Sequence, residues 1–177
     1  VLVVQLYDVN LFVGVDGVLW READGGTYLG ALTAAGAVGF YVEGAALDLA
    51  IIGEVGGAGR SWTGVAAFVE TMSVVGVPTD VFQMAITELT FLYNVAAADG
   101  SKIDWKGLAG ATTTPNYGLG ATRLADMDNT VELKVLGELS VTLQNFVYVS
   151  GGVALERREL FVKTSGSTTA TKMSVLA

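Results

Sequence analysis

Val131-Glu132-Leu133-Lys134-Val135-Leu136-Gly137-Glu138-Leu139-Ser140-Val141-Thr142-Leu143 decides the fold class. Val131, Leu133 and Val135 alternate with Glu132, Lys134 and Leu136, and Leu139, Val141 and Leu143 alternate with Ser140, Thr142 and Gln144. Successive side chains of a strand point to opposite faces, so a period of two reads as β. Downstream, Phe146 to Val149, Gly151-Gly152 and Val153 to Lys163 read as a second, closing hairpin. Thr164 to Thr171 is full of Ser and Thr and opens a flexible tail over about 164–177, in which Met173 to Leu176 is apolar enough to dock.

Upstream, Gly107 to Asn129 is poor in large apolar residues and centres on Pro115-Asn116, which predicts a long loop over about 107–129. Near the start, the apolar runs Leu11 to Val15 and Val18 to Trp20 flank Asp16-Gly17. That dipeptide tolerates the positive φ of a type I′ turn, so a hairpin over 11–20 is expected. Asp24-Gly25-Gly26 marks the next turn. Ala37 to Glu43 and Ala46 to Val55 read as two apolar strands separated by Gly44, and Gly56 to Gly59 as a flexible loop.

One segment reads differently. Val81, Phe82, Ala85, Ile86, Leu89, Leu92, Tyr93 and Ala96 recur at spacings of three and four, the face of an amphipathic helix. Asp80 and Gln83 have capping-box spacing and Asp99-Gly100 marks an end, so a helix is predicted over about 80–98. The chain therefore reads as mainly β with one helix, a single domain over 1–177.

Composition narrows the function. The chain has 177 residues, a net charge of −8, 51% hydrophobic and 16% charged residues, and neither His nor Cys. Its mean hydropathy of +0.52 implies more apolar surface than one small domain hides. No thiolate metal site or disulfide is possible, and the commonest general base is missing. The acidic balance argues against sequence-independent nucleic-acid binding, which needs a basic face. Glu43 and Asp48 argue against a membrane helix in the weakly polar stretch 28–55, and no signal-peptide pattern surrounds Val1 to Val4.

Three motifs invite chemistry and read more simply. Gly53-Glu54-Val55-Gly56-Gly57-Ala58-Gly59-Arg60-Ser61 departs from a phosphate-binding loop, with Glu54 where Gly is needed and Arg60 in place of Lys. It reads as a flexible loop. Asp126, Asp128 and Asn129 before Glu132 lack the glycine of a calcium loop, since Val131 holds its sixth position. Asp99 and Asp104 flank a turn. Trp20, Trp62 and Trp105 read as core or interface anchors. No catalytic residue, metal or cofactor is read from the sequence.

Three stretches resemble, in order, the tail-tube proteins of contractile-tailed bacteriophages and related phage-tail-like particles. Val9-Asn10-Leu11-Phe12-Val13 is similar to that family's opening strand, and Gly76-Val77-Pro78-Thr79-Asp80-Val81 to its entry into a single helix. Leu139 to Leu143, Phe146, Tyr148, Gly151-Gly152 and Leu155-Glu156 resemble its final hairpin. The family's early leucine-proline strand is missing here, and 107–129 has no counterpart.

The resemblance implies an antiparallel β-sandwich or small barrel with one flanking helix, closed into stacked, hexameric rings. It implies a structural virion protein of the tail, assembled in the host cytoplasm, whose tube conducts DNA without binding it specifically. Sheath, baseplate, terminator and tape-measure proteins are the implied partners, and stable membrane insertion is not. The candidate ring and stacking interface comprises Leu11, Phe12, Trp20, Gly57, Arg60, Phe146, Tyr148, Arg157 and Arg158. A capsid decoration protein is the rival, with a nucleotide-binding enzyme built on 47–75 and a strand-donating fibre subunit behind it.

Overall fold

Long, twisted strands dominate the computed structural model, which describes residues 1–17, 19–21, 28–32, 36–57, 59–111, 118–144 and 146–177. The strands are β1 (Leu2–Val15), β2 (Leu19–Arg21), β3 (Tyr28–Leu32), β4 (Val38–Gly53), β5 (Ser61–Val75), β6 (Phe82–Val95), β7 (Val131–Leu143), β8 (Val147–Val162) and β9 (Thr171–Leu176). Seven of them form one antiparallel sheet in the order β1-β4-β5-β6-β7-β8-β9, and β2 pairs with β3. The mainly β antiparallel class is as the sequence predicts. The sheet is open, with β1 and β9 at its edges.

The expected helix over 80–98 is strand β6. Its spacing of three and four comes from a β-bulge. Glu88 has φ of 53°, and the register with β7 shifts between Thr87 and Thr90. A bulge moves the side-chain phase by one residue. Phe82, Met84 and Ile86 thus share a face with Phe91 and Tyr93, and the broken period of two imitates a helical one. Asp80 lies in the turn from Pro78, where Val81 N and Phe82 N both donate to Pro78 O.

Three further expectations change. Leu11 to Val15 pairs with β4, while Leu19–Arg21 pairs with β3, so 11–20 is no hairpin. The two strands expected around Gly44 are one, because Gly44 at φ 63° keeps the chain extended through a bulge. Gly151-Gly152 lies inside β8, and the closing hairpin turns after Leu143 instead, where Phe146 N donates to Leu143 O at 2.9 Å. The turn expected at Asp24 to Gly26 and the Pro115-Asn116 centre of the long loop lie outside the described residues. Within the C-terminal segment, Thr171–Leu176 adds to β8 as β9.

The helix that does form is α1, Trp105–Ala109, opened by Asp104, whose Oδ1 accepts from Gly107 N at 2.9 Å. With the 3-10 turns Leu119–Ala121 and Arg123–Asp126 it makes a small layer over one end of the sheet. Trp105, Leu119, Leu124 and Met127 pack there on Ala50, Ala66 and Leu92. Gly64 makes the approach possible, since a Cβ would stand 2.6 Å from Trp105 Cε2. Asp48, 1% exposed, ties the layers together: Oδ1 accepts from Gln5 Nε2 at 3.2 Å and Oδ2 from Arg123 N at 2.9 Å.

Candidate functional site

Register decides which side chains share a face. β7 and β8 stay in step from Leu133 to Leu143, so both alternate there without interruption. One face of β7 therefore carries Lys134, Leu136, Glu138, Ser140 and Thr142, and the other Leu133, Val135, Leu139, Val141 and Leu143. Cross-strand partners extend each set across the sheet. The row Gln5–Asp48–Ala66–Leu92–Lys134–Glu156 lies under the helical layer. On the same face, toward the other end, run Phe12–Tyr41–Ser73–Ala85–Ser140–Ser150 and Glu43–Thr71–Thr87–Glu138–Gly152, which are largely polar.

The second face is apolar over most of its length, with Arg157 opposite Leu133 at one end. Its rows include Leu6–Leu47–Ala67–Phe91–Val135–Leu155 and Leu11–Val42–Met72–Ile86–Leu139–Gly151. Val13–Phe40–Val74 and Met84–Val141–Val149 continue it. Asp8 (φ 52°), Gly44 and Glu88 interrupt β1, β4 and β6 along one transverse line. Each interruption moves the apolar phase by one, which keeps the apolar side chains on this face above and below the line.

Among the described residues nothing packs over this face. Toward its edges and one end Leu6 is 46% exposed, Val13 59%, Phe40 43% and Val149 55%, whereas Val42 in its interior is 9% exposed. At about 3.3 Å per residue and about 4.8 Å between strands, twelve-residue spans of six strands cover on the order of 1,000 Å². The largest apolar patch on an ordinary monomer is about 300–600 Å².

The nine candidate interface residues do not converge. Leu11 belongs to the apolar face. Phe12 lies on the opposite one, its ring against Gly14, Gly17 and Gly39. Tyr148 pairs with Thr142 on the polar face, 67% exposed, and Phe146 stands 88% exposed in the β7–β8 turn. Trp20 is in β2, and its side chain lies outside the described residues. Gly57 and Arg60 are at the far end of the sheet, in the β4–β5 turn. A Cβ on Gly57 would collide with the Glu54 carboxylate. Arg60 donates to Glu54 Oε1 at 2.8 Å and Asp99 Oδ2 at 3.2 Å, 5.2 Å above the Trp62 ring.

Arg157 pairs with Glu132, and Arg158 with Glu156 and, at 3.5 Å, with Asp128. Sequence reasoning missed much of the apolar face: Leu47, Leu49, Phe40 and Phe91 went unnamed. Their signal was alternation on each side of Gly44 and Glu88, hidden by the change of phase.

The groups that invited chemistry are engaged otherwise. Residues 61–75 form β5, so 47–75 lacks the strand–loop–helix that a phosphate loop needs. Asp128 Oδ1 accepts from Thr130 N at 2.8 Å and Thr130 Oγ1 at 2.6 Å, closing a turn. Burial opposes its ionisation, but those bonds, the Val131 N–H and the Arg158 charge outweigh it and hold the carboxyl below its usual range. Among the described residues no group of three metal-ligating side chains forms, and no helix is long and apolar enough to cross a membrane.

Glu159 is held low in the same way: burial raises it, and Lys172 and Lys102 lower it by more. Lys102 Nζ is buried 3.2 Å from Glu159 Oε1 but lacks hydrogen-bond geometry, so that contact is an ion pair alone. No family model, curated protein or solved structure matches the chain.

Proposed function

We propose that this chain is a structural subunit that assembles with copies of itself into stacked rings, forming a tail tube of the kind its sequence resembles. The observation that carries the reading is the uncovered apolar face. Its footprint, on the order of 1,000 Å², exceeds the usual apolar patch of a monomer and the roughly 800 Å² per partner of a stable interface. The face holds no cluster of polar groups converging on a small ligand; it suits a broad protein layer.

In this reading the other face, with Glu43 and Glu138, turns toward the lumen and keeps it acidic, so DNA slides past without adhering. The apolar face turns outward and is covered by neighbouring subunits or a surrounding sheath protein. The tube resides in the virion tail after assembly in the host cytoplasm.

Negative-stain electron microscopy of the purified protein across concentration and salt, without detergent, tests this. Hollow rings or stacked tubes are expected. A uniform field of monomers or trimers would overturn it, and so would particles that persist only in detergent and insert into vesicles.

A further inference from the structure

We propose that the assembly is held by strand addition: β1 of one copy pairs, antiparallel, with the outer edge of β8 of the next. This rests on the self-assembly reading above and names the contact that builds it.

Among the described residues both edges are open, and β1 is interrupted only by its bulge at Asp8. No strand among the described residues lies outside β1. On the other side β9 covers only one end of β8. Its ladder runs from Val162 to Arg157 and finishes where Ala177 exchanges two backbone hydrogen bonds, at 2.8 and 2.9 Å, with Glu156. Among the described residues nothing pairs with the outer edge of Val147 to Leu155. Each edge therefore presents a row of unpaired N–H and C=O groups.

Natural proteins protect such edges with Lys, Pro or inward charges. Residues 2–15 contain no Lys, Arg or Pro, and neither do 147–155. Charge is concentrated where β9 already pairs, at Arg157, Arg158, Glu159 and Lys172. Apart from the bulge at Asp8 these are long, mostly apolar edges, the composition of strands that are paired in use.

Strand direction also fits. From β1 to β8 the sheet has six strands, β1-β4-β5-β6-β7-β8, each antiparallel to its neighbour. With an even number, β1 and β8 run in opposite directions. A second copy placed beside the first in the same orientation then sets its β1 antiparallel to the first copy's β8, continuing the alternation. Two β1 edges meeting would require a twofold turn and would leave both β8 edges bare.

Face character continues across this joint as well. Leu6 and Leu155 end one apolar row, and Val13 and Val149 lie at the two edges of the apolar face. The join therefore extends the apolar and polar faces into the next copy. A contact between different edges is heterologous, and repeated with rotation it closes a ring. An open edge is not tolerated in lipid, so these edges favour a second copy over a bilayer as partner.

The chain has no Cys, so introduced thiols report without background. Full-length double variants carry Leu6→Cys with Leu155→Cys, Val153→Cys or Val149→Cys, three β8 positions that bracket the register. Under mild oxidation at least one should give a reducible ladder of dimers, trimers and higher species, while each single variant stops at dimer. Phe91→Cys, in the middle of the apolar face, reports face-to-face pairing.

Light scattering on the same samples separates the failures. Oligomers without a ladder from any pair, or with crosslinking confined to Phe91→Cys, overturn edge addition and leave self-assembly standing. Monomers at every concentration overturn both.

Discussion

The indole N–H of Trp105 donates to Asn94 Oδ1 at 2.9 Å, with the two residues 0% and 1% exposed. Asn94 Nδ2 in turn donates to Ile103 O at 3.0 Å and Asp128 O at 3.3 Å. One side chain of β6 thus satisfies three polar groups, one in α1 and two in the segments flanking the helical layer. Trp105→Phe leaves Asn94 Oδ1 buried without its donor and should cost about 1–3 kcal/mol in urea unfolding at fixed protein concentration. An unchanged midpoint would show that the layer is held by apolar packing alone.

Gly64 sits beneath that indole. Gly64→Ala would force Trp105 away from the sheet and should destabilise by about 1–3 kcal/mol, as overpacking does. Near-ultraviolet circular dichroism should show a loosened Trp environment. A wild-type spectrum would contradict the tight approach.

The bulge line gives a pair of opposite effects. Gly44→Val places a β-branched residue at φ 63° and drives its Cβ to 2.6 Å from Glu70 Oε2, so expression and thermal stability should fall. Glu88→Gly removes the Cβ from a residue at φ 53° and should be neutral or stabilising by up to about 1 kcal/mol. If Gly44→Val were as stable as the parent, β4 would have no bulge to keep the apolar face continuous.

That line also explains what the sequence hid. β7 was legible because Leu133 to Leu143 keeps one phase. β6 was misread as helix because Glu88 shifts the phase midway, and β4 was divided at Gly44 for the same reason. α1 has only five residues, too few for a helical period to register. The candidate interface scattered because it followed large or charged residues singly. The apolar face exists only once register brings modest Val, Leu and Ala residues from six strands side by side.

Acid should weaken the fold in a defined window. The Ser101 hydroxyl and N–H hold the Asp99 carboxyl down at about 2, with Arg60 adding its charge. A group depressed in the folded state stabilises it above its unfolded value, near 3.8, and loses that contribution as pH falls toward 2. Asp128 and Glu159 are lowered too and act in the same direction. Melting temperature should therefore drop below about pH 4, and Asp99→Asn should drop less. Parallel curves for the two proteins would remove Asp99 from the explanation.

Burial of the apolar face between copies is tested most directly by sedimentation velocity of the unmodified protein over a dilution series in detergent-free buffer. Discrete species larger than the monomer, persisting at the lowest measurable concentration, are expected. A stable, soluble monomer throughout the series would contradict it, because water would then be the natural neighbour of that face.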